Sequence, residues 1–363
     1  MLRVLRLPQV VGFMRILYLM QVNWDWVFQR PHILALYLEK DYECTVLNRR
    51  VLFKPLTSKT NKRPHKMITV WQLPKQNMCS LFSRINEYIY KWFFRNINNY
   101  DAVWVTHPNQ FEFIRSFHNT VIYDCMDYHF GLNANGDSDN LFEVEQELIK
   151  RANIIFVSSN YLKEIVPNID KAILVNNGFE AKNIYPVKNA CKKDRYRIGY
   201  IGTVSTWFDY ELIEQSAQVF NNVEYHIIGP VLVQNERKLK NIIFDGVIDH
   251  NVLYEHIKEF DALIMPFTLD EAIKAVDPVK LYEYISFGKC IVSVKYPEVE
   301  RFSEFSYLYN NYDEYIAIIN GLIDSGFKPQ YTDANRRLFL ESNSWDKRYG
   351  VILNAMKELN KDA

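Results

Sequence analysis

The chain has 363 residues, long enough for two domains, and its 48% hydrophobic and 24% charged residues are the balance of a folded globular protein. Lys plus Arg and Asp plus Glu both number 43, and this formal neutrality excludes a strong sequence-independent nucleic-acid binder, which needs a basic excess. The five cysteines (Cys44, Cys79, Cys125, Cys191, Cys290) are scattered, odd in number and without a Cys-x-x-Cys pair, and read as reduced thiols of a cytosolic protein.

No apolar run reaches the roughly 18 residues needed to span a bilayer. Residues 1–13 read as an N-terminal extension. Residues 15–22 (RILYLMQV) form a continuous apolar run, the pattern of a buried parallel strand. The loop that follows lacks Gly-x-Gly-x-x-Gly, so it is not the dinucleotide fingerprint. It offers Trp24, Asp25, Arg30 and His32 instead. A loop at the carboxyl end of a first strand favours ligands; the alternative is that Trp24 and Trp26 pack as a lid while Arg30 and His32 make local hydrogen bonds.

Residues 43–48 and 67–73 read as strands. The basic loop between them, with Arg49, Arg50, Lys54, Lys59, Lys62, Arg63 and Lys66, suits anionic lipid head groups or a pyrophosphate-linked acceptor, and equally a solvated loop. Residues 81–96 have helical spacing, with many aromatics and Arg84, Lys91 and Arg95. Such a helix suits a membrane interface or, alternatively, packs on the sheet with wet Tyr and Trp tips.

Strands over 102–106 and 120–123 end at His107-Pro108 and at Asp124-Cys125-Met126-Asp127. Asp127 and His107 are the general-base candidates of this half; the alternatives are a loop hydrogen bond for His107 and a capping role for Asp124 or Asp127. A helix over 141–151, strands over 154–157 and 172–175, and an Asn176-Asn177-Gly178 turn complete a doubly wound α/β domain.

The polar stretch 180–195 reads as a linker, after which the pattern restarts. A strand over 196–201 ends in Gly202-Thr203, where a backbone is able to approach a ligand and hydroxyls to hold phosphate. Strands over 224–228, 242–244 and 263–265 follow. Next comes Asp277-Pro278-Val279-Lys280-Leu281-Tyr282-Glu283-Tyr284, with Pro278 suited to a first helical position and Lys280 and Glu283 one turn apart. In isolation these two are most simply a surface ion pair. After a fourth strand of an α/β half they become candidates for phosphate and sugar-hydroxyl recognition. The strand 290–294 follows, and a last helix starts at Ser344. The expected domains are 14–179 and 196–343, with 344–363 as a C-terminal helix.

Two doubly wound halves, Gln29-Arg30-Pro31-His32, Tyr123-Asp124-Cys125-Met126-Asp127, Asn177-Gly178, Ile198 to Gly202, Val279 to Tyr284 with Gly288-Lys289, and Ser344-Trp345 together resemble bacterial glycosyltransferases of the GT-B architecture, those of capsule, teichuronic-acid and exopolysaccharide synthesis. The resemblance implies two Rossmann-like α/β domains facing a cleft, with a C-terminal helix that crosses back to the first. It implies a nucleoside-diphosphate sugar on the C-terminal half and a saccharide or lipid-linked acceptor on the N-terminal half. Glu283 would hold ribose hydroxyls and Lys280 the diphosphate, with Gly202 and Thr203 facing phosphate and with Asp277 and Tyr282 in the same donor-side stretch. No cofactor or obligatory metal is implied. Peripheral contact with the inner face of the membrane is expected, and nucleic acid is not.

Three positions depart from the family pattern. The first carboxylate of a frequent Glu–seven residues–Glu pair falls at Ala275, which Asp277 only partly replaces; Gly202 to Tyr210 holds no cation; and the first loop lacks glycines. These departures favour inverting displacement with Asp127 as the base. Two alternatives stand beside this expectation. One is a two-domain nucleotide-sugar epimerase, against which His226, His250 and His256 are expected to form no cluster. The other is a non-catalytic carbohydrate-binding partner in polysaccharide assembly.

Overall fold

Apolar runs bounded by polar loops build two parallel sheets in a computed structural model that describes residues 14–52, 62–73, 80–129, 138–180, 184–233 and 239–359. The first sheet and its helices comprise, in chain order, β1 (Arg15–Leu19), α1 (Arg30–Leu38), β2 (Glu43–Val51), β3 (Met67–Gln72), α2 (Ser80–Phe94), β4 (Ala102–Val105), β5 (Thr120–Cys125), α3 (Ser138–Arg151), β6 (Ile154–Val157), α4 (Asn160–Ile165) and β7 (Ile173–Leu174). The second comprises β8 (Tyr196–Ile201), α5 (Tyr210–Val219), β9 (Val223–Ile228), β10 (Ile242–Gly246), α6 (His250–Ile257), β11 (Ala262–Met265), α7 (Glu271–Lys274), α8 (Val279–Ser286), β12 (Cys290–Val294), β13 (Tyr307–Tyr309), α9 (Tyr312–Ser325), α10 (Asp333–Ser342) and α11 (Trp345–Leu359).

The strand orders are β3-β2-β1-β4-β5-β6-β7 and β10-β9-β8-β11-β12-β13. Both are doubly wound Rossmann-like sheets, and in each the order reverses beside the first strand, between β1 and β4 and between β8 and β11. Strands β4, β6, β11 and β12 are buried throughout, as expected of sheets covered on both faces.

Contacts divide the chain into two compact units. One holds residues up to Met126, with 133–157 and 166–173; the other holds 127–132, 158–165 and the chain from Leu174 onward. The stretch 184–195 runs along the second unit. The N–H groups of Tyr185 and Lys188 donate to Ser286 and Gly288 carbonyls, and Lys188 and Lys193 both pair with Asp261. Helix α11 also clusters with this unit, and Trp345 packs so tightly on Gly178 that a Cβ there would lie 2.8 Å from the indole.

The first strand is shorter than the apolar run suggests. Met20 N–H donates to the Leu47 carbonyl, and Gln21 N–H then turns to the Thr106 hydroxyl at 3.0 Å, so side-chain bonding ends the ladder. Helices α6, α7, α9 and α10 and strand β13 were not legible as elements. Helix α9 nonetheless carries local signals: Tyr315, Ile319 and Leu322 are buried at helical spacing, and the Asn311 side chain caps its start by accepting from Glu314 N–H.

Candidate functional site

The site in the second unit begins where β8 and β11 part. Their ladder pairs only Ala262 with Ile198 and Leu263 with Gly199, although β8 runs on to Ile201 and β11 to Met265. The Tyr284 phenol fills the opening. It accepts from Ile201 N–H at 3.0 Å and lies 3.4 Å from the carbonyl oxygens of Ile201 and Ile264. A fully buried side chain of α8 thus pins that helix under the reversal point, where open α/β sheets bind ligands. The far end of α8 is held by Arg336, itself fully buried, whose guanidinium donates to the carbonyls of Ile285 at 2.9 Å and Ser286 at 3.1 Å.

Beyond β8 the backbone passes through Gly202 at φ +150°. Gly229, at the end of β9, has φ +137°, and a Cβ there would lie 2.2 Å from the Gly202 carbonyl oxygen. Side chains are therefore excluded at both positions, and bare backbone faces outward. The ammonium of Lys280 occupies the space over Gly202; a Cβ on Gly202 would meet Nζ at 2.5 Å. Among the described residues no hydrogen bond reaches that ammonium, whose contacts are the Tyr200 ring, with its centroid 5.9 Å away, and the charge of Glu283. Burial lowers the Lys280 pKa, against the opposing pull of Glu283.

One turn further on, Glu283 Oε1 stands 2.6 Å from His250 Nε2, at the start of α6. That hydrogen bond raises the imidazole pKa, with burial opposing it. Pro278 stands at the N-cap of α8, one residue earlier than its expected place. A glycine-lined strand end, a cation without a hydrogen-bond partner, a carboxylate and a helix N-terminus together suit an oxyanion with an attached diol.

The structure separates Asp277 and Tyr282 from this face. Asp277 is buried, accepting from Asn177 N–H at 2.5 Å and from the Arg301 guanidinium; burial pushes it up to about 6. The Tyr282 hydroxyl accepts from Arg301 at 2.8 Å and from Arg348 at 3.4 Å. This network holds the segment entering α8. The Thr203 carbonyl accepts from the Tyr200 hydroxyl at 2.9 Å. Ala275 is buried, and its carbonyl accepts from the Ser159 hydroxyl at 2.7 Å.

In the first unit, Trp24 is fully buried, and its indole N–H donates to the Lys62 carbonyl at 3.0 Å. Asp25 pairs with Arg63 and Arg50. Arg30 is buried and grips Asp124, with Nη2 to Oδ1 at 2.7 Å and Nε to Oδ2 at 3.1 Å. The Arg30 partner is therefore 94 residues away rather than local, and Asp124 is an ion-pair partner instead of a cap. His32 is buried between Trp24 and Phe28 and accepts from Gln29 N–H at 3.3 Å; burial lowers its pKa. His107 caps the turn that follows it, accepting from Asn109 N–H at 3.2 Å, and burial with nearby Arg49 pushes it down to about 4. Asp127 is exposed just past β5, in the short segment that clusters with the second unit. In the described part of the basic loop, Lys66 pairs with Glu43 at the surface and Arg50 stacks on the exposed Trp71. Lys54 and Lys59 lie outside the described residues.

His250, Tyr284 and Gly229 were not singled out by sequence as parts of this site. Gly229-Pro230 at a strand end and the second tyrosine of the Tyr-Glu-Tyr run were the available signals. The expectation that the histidines form no cluster is corrected for two of them. Asp245 on β10 lies 2.9 Å from His226 Nδ1 and 3.6 Å from His256 Nε2, because parallel pairing of β9 with β10 sets His226 beside the strand that carries it. Among the described residues no group of His, Cys, Asp and Glu has the makings of a metal site.

No protein-family model matches the chain. The sequence is 26% identical over 283 residues to TuaH of Bacillus subtilis, a protein assigned to teichuronic acid biosynthesis as a glycosyltransferase; the match covers 69% of this chain and 70% of the relative. Among solved structures, Anabaena HepE in complex with UDP and glucose superposes with a TM-score of 0.68 at 14% identity, over 96% of this chain and 99% of that one. A trehalose-6-phosphate synthase superposes with a TM-score of 0.63 at 11% identity, over 95% and 99%.

Proposed function

We propose that this GT-B glycosyltransferase moves a sugar from a nucleoside diphosphate, with UDP as the first candidate, to a saccharide or lipid-linked acceptor of surface-polysaccharide synthesis. The observation that carries the donor assignment is the Lys280 ammonium, poised over Gly202 without a hydrogen-bond partner among the described residues, one turn before Glu283. UDP complexes of a protein with the same fold support that assignment, and the teichuronic acid relative supports the polysaccharide acceptor.

In the proposed reaction Glu283 accepts hydrogen bonds from the ribose diol, and Lys280 with the α8 N-terminus faces the diphosphate. Asp127 takes the proton of the acceptor hydroxyl. That oxygen bonds to the anomeric carbon as the bond from the same carbon to the diphosphate breaks, and the nucleoside diphosphate leaves with the electron pair. Charge grows on the leaving oxygen, so Lys280 acts most strongly in the transition state.

Thermal-shift and calorimetric titration with UDP-, GDP-, dTDP- and CMP-sugars tests the donor site. A stabilising UDP-sugar whose effect is lost in Glu283→Ala is expected. Absence of binding by every nucleotide refutes the donor site. Turnover of the donor to an epimeric sugar without any acceptor refutes the transferase and favours an epimerase.

A further inference from the structure

Helix α8 starts without an ordinary cap. Pro278 at its N-cap makes no side-chain bond to the first turn, the bond that Ser, Thr, Asp or Asn would supply there. A capping side chain would stand over the helix N-terminus, where the donor reading puts the diphosphate. Asp277, one residue earlier, fixes the helix start from the side instead. Its carboxylate is fully buried; Oδ2 accepts from Asn177 N–H at 2.5 Å, and Oδ1 pairs with the Arg301 guanidinium. The Asp277 carbonyl accepts from the Asn177 side-chain amide at 3.0 Å. Asn177 is held in turn by Arg348 of α11, whose Nε donates to its carbonyl at 3.2 Å. Three parts of the second unit, the segment after β7, the turn Pro297–Phe302 and α11, thus meet on the residue before Pro278.

Stability does not account for this arrangement. Burial pushes the Asp277 carboxyl up to about 6 in spite of Arg301, the Asn177 N–H and Arg348, with Glu298 of the same turn opposing the charge. The folded value lies above the ordinary 3.8, so the stabilising contribution is complete below that value and is lost as pH rises through about 6. At neutral pH the fold therefore holds an ionised Asp277 against a cost that a buried ion pair seldom offsets. What the pair does supply is a fixed starting point for the helix. The Lys280 ammonium, three residues on, has no hydrogen-bond partner among the described residues, so its place over Gly202 follows the start of α8. We infer that Asp277 is a positioning residue of the donor site, which with Arg301 sets where α8 begins and so holds the Lys280 ammonium over Gly202. The inference rests on the donor reading of Lys280 and deepens it. A misplacement of about 1 Å at such a group is enough to cost on the order of 10²-fold in rate.

The test is a double-mutant cycle on UDP affinity, read by calorimetry on the full chain. Free UDP carries on its terminal phosphate the charge that develops as the sugar leaves, so its affinity reports on Lys280 directly. Asp277→Asn keeps the shape and an acceptor for Asn177 N–H and removes the charge. It is expected to weaken UDP binding at least tenfold with a melting temperature close to wild type. Lys280→Met is expected to weaken UDP at least tenfold by itself, and adding Asp277→Asn to it is expected to weaken UDP no further, because the ammonium that Asp277 places is gone. Arg301→Met is expected to reproduce Asp277→Asn in both backgrounds, and Arg301→Lys, which keeps the charge, to bind UDP within about threefold of wild type; these two variants carry the cycle if Asp277→Asn does not fold. Wild-type UDP affinity in Asp277→Asn or Arg301→Met overturns the inference, as do losses that multiply when either is combined with Lys280→Met, the mark of a merely structural role. Those outcomes leave Lys280 in the donor site. Wild-type UDP affinity in Lys280→Met refutes the donor reading itself, and the positioning role with it.

Discussion

The Lys280 ammonium lies against Gly202 so closely that a β-carbon at Gly202 would stand 2.5 Å from Nζ. A residue on the first turn of α8 and a residue at the end of β8 thus form one surface, and the glycine is what lets the cation occupy it. Gly202→Ala would add a methyl group there and force φ +150° on an L-residue, a conformation costing on the order of 1–3 kcal/mol. The expected outcome is a folded protein with a modestly lower melting temperature and at least tenfold weaker UDP binding in calorimetry.

Removing the charge itself separates binding from chemistry. Lys280→Met keeps the bulk and deletes the ammonium, and loss of one transition-state donor typically costs about 10²–10³ in kcat. The kcat of this variant is expected to fall by that order, with a smaller change in donor KM. A raised KM with kcat unchanged would indicate uniform binding instead.

Glu283 is shared between His250 and the proposed ribose, which makes donor binding depend on pH. The His250 pKa is raised in the fold, so the pair's stabilisation is fully present below the unfolded value near 6.5 and is lost as pH rises through the folded value. His250 is 80% exposed at its side chain, and the effect on stability is under about 1 kcal/mol. Protonated His250 competes for the carboxylate, so UDP affinity is expected to rise from pH 6 to pH 8 in wild type and to be flat in His250→Gln. Parallel slopes in the two proteins would show that the imidazole does not gate the site.

Asp127→Asn retains the shape of the proposed base without its basicity. General-base loss is worth about 10²–10⁴ in rate, so kcat is expected to drop into that range while UDP affinity, measured separately, holds. Unimpaired turnover would remove Asp127 from the reaction.

Arg30 and Asp124 form a buried pair at 2.7 Å that ties the start of α1 to the end of β5. Breaking such a pair by Asp124→Asn leaves a buried charge and is expected to cost about 3–5 kcal/mol by urea unfolding. The double change Arg30→Met with Asp124→Leu is expected to recover much of that loss, since no lone charge remains.

The sequence by itself determined the two doubly wound sheets, because continuous apolar runs at α/β spacing admit few other ways of burying both faces of a strand. It also marked Lys280 and Glu283, whose spacing of three puts them on one helical face wherever the helix lies. What surrounds them was decided by tertiary structure alone. Asp277 and Tyr282 stand beside the same pair in the chain, yet Arg301 and Arg348, from β12-to-β13 and α11 segments, draw them into a separate buried network. The Arg30 grip on Asp124 spans 94 residues, and the Tyr284 phenol fills a gap between two strands that part after two register pairs. Contacts of this kind depend on which strand ends the reversal of order brings together, and no local pattern of residues carries that information.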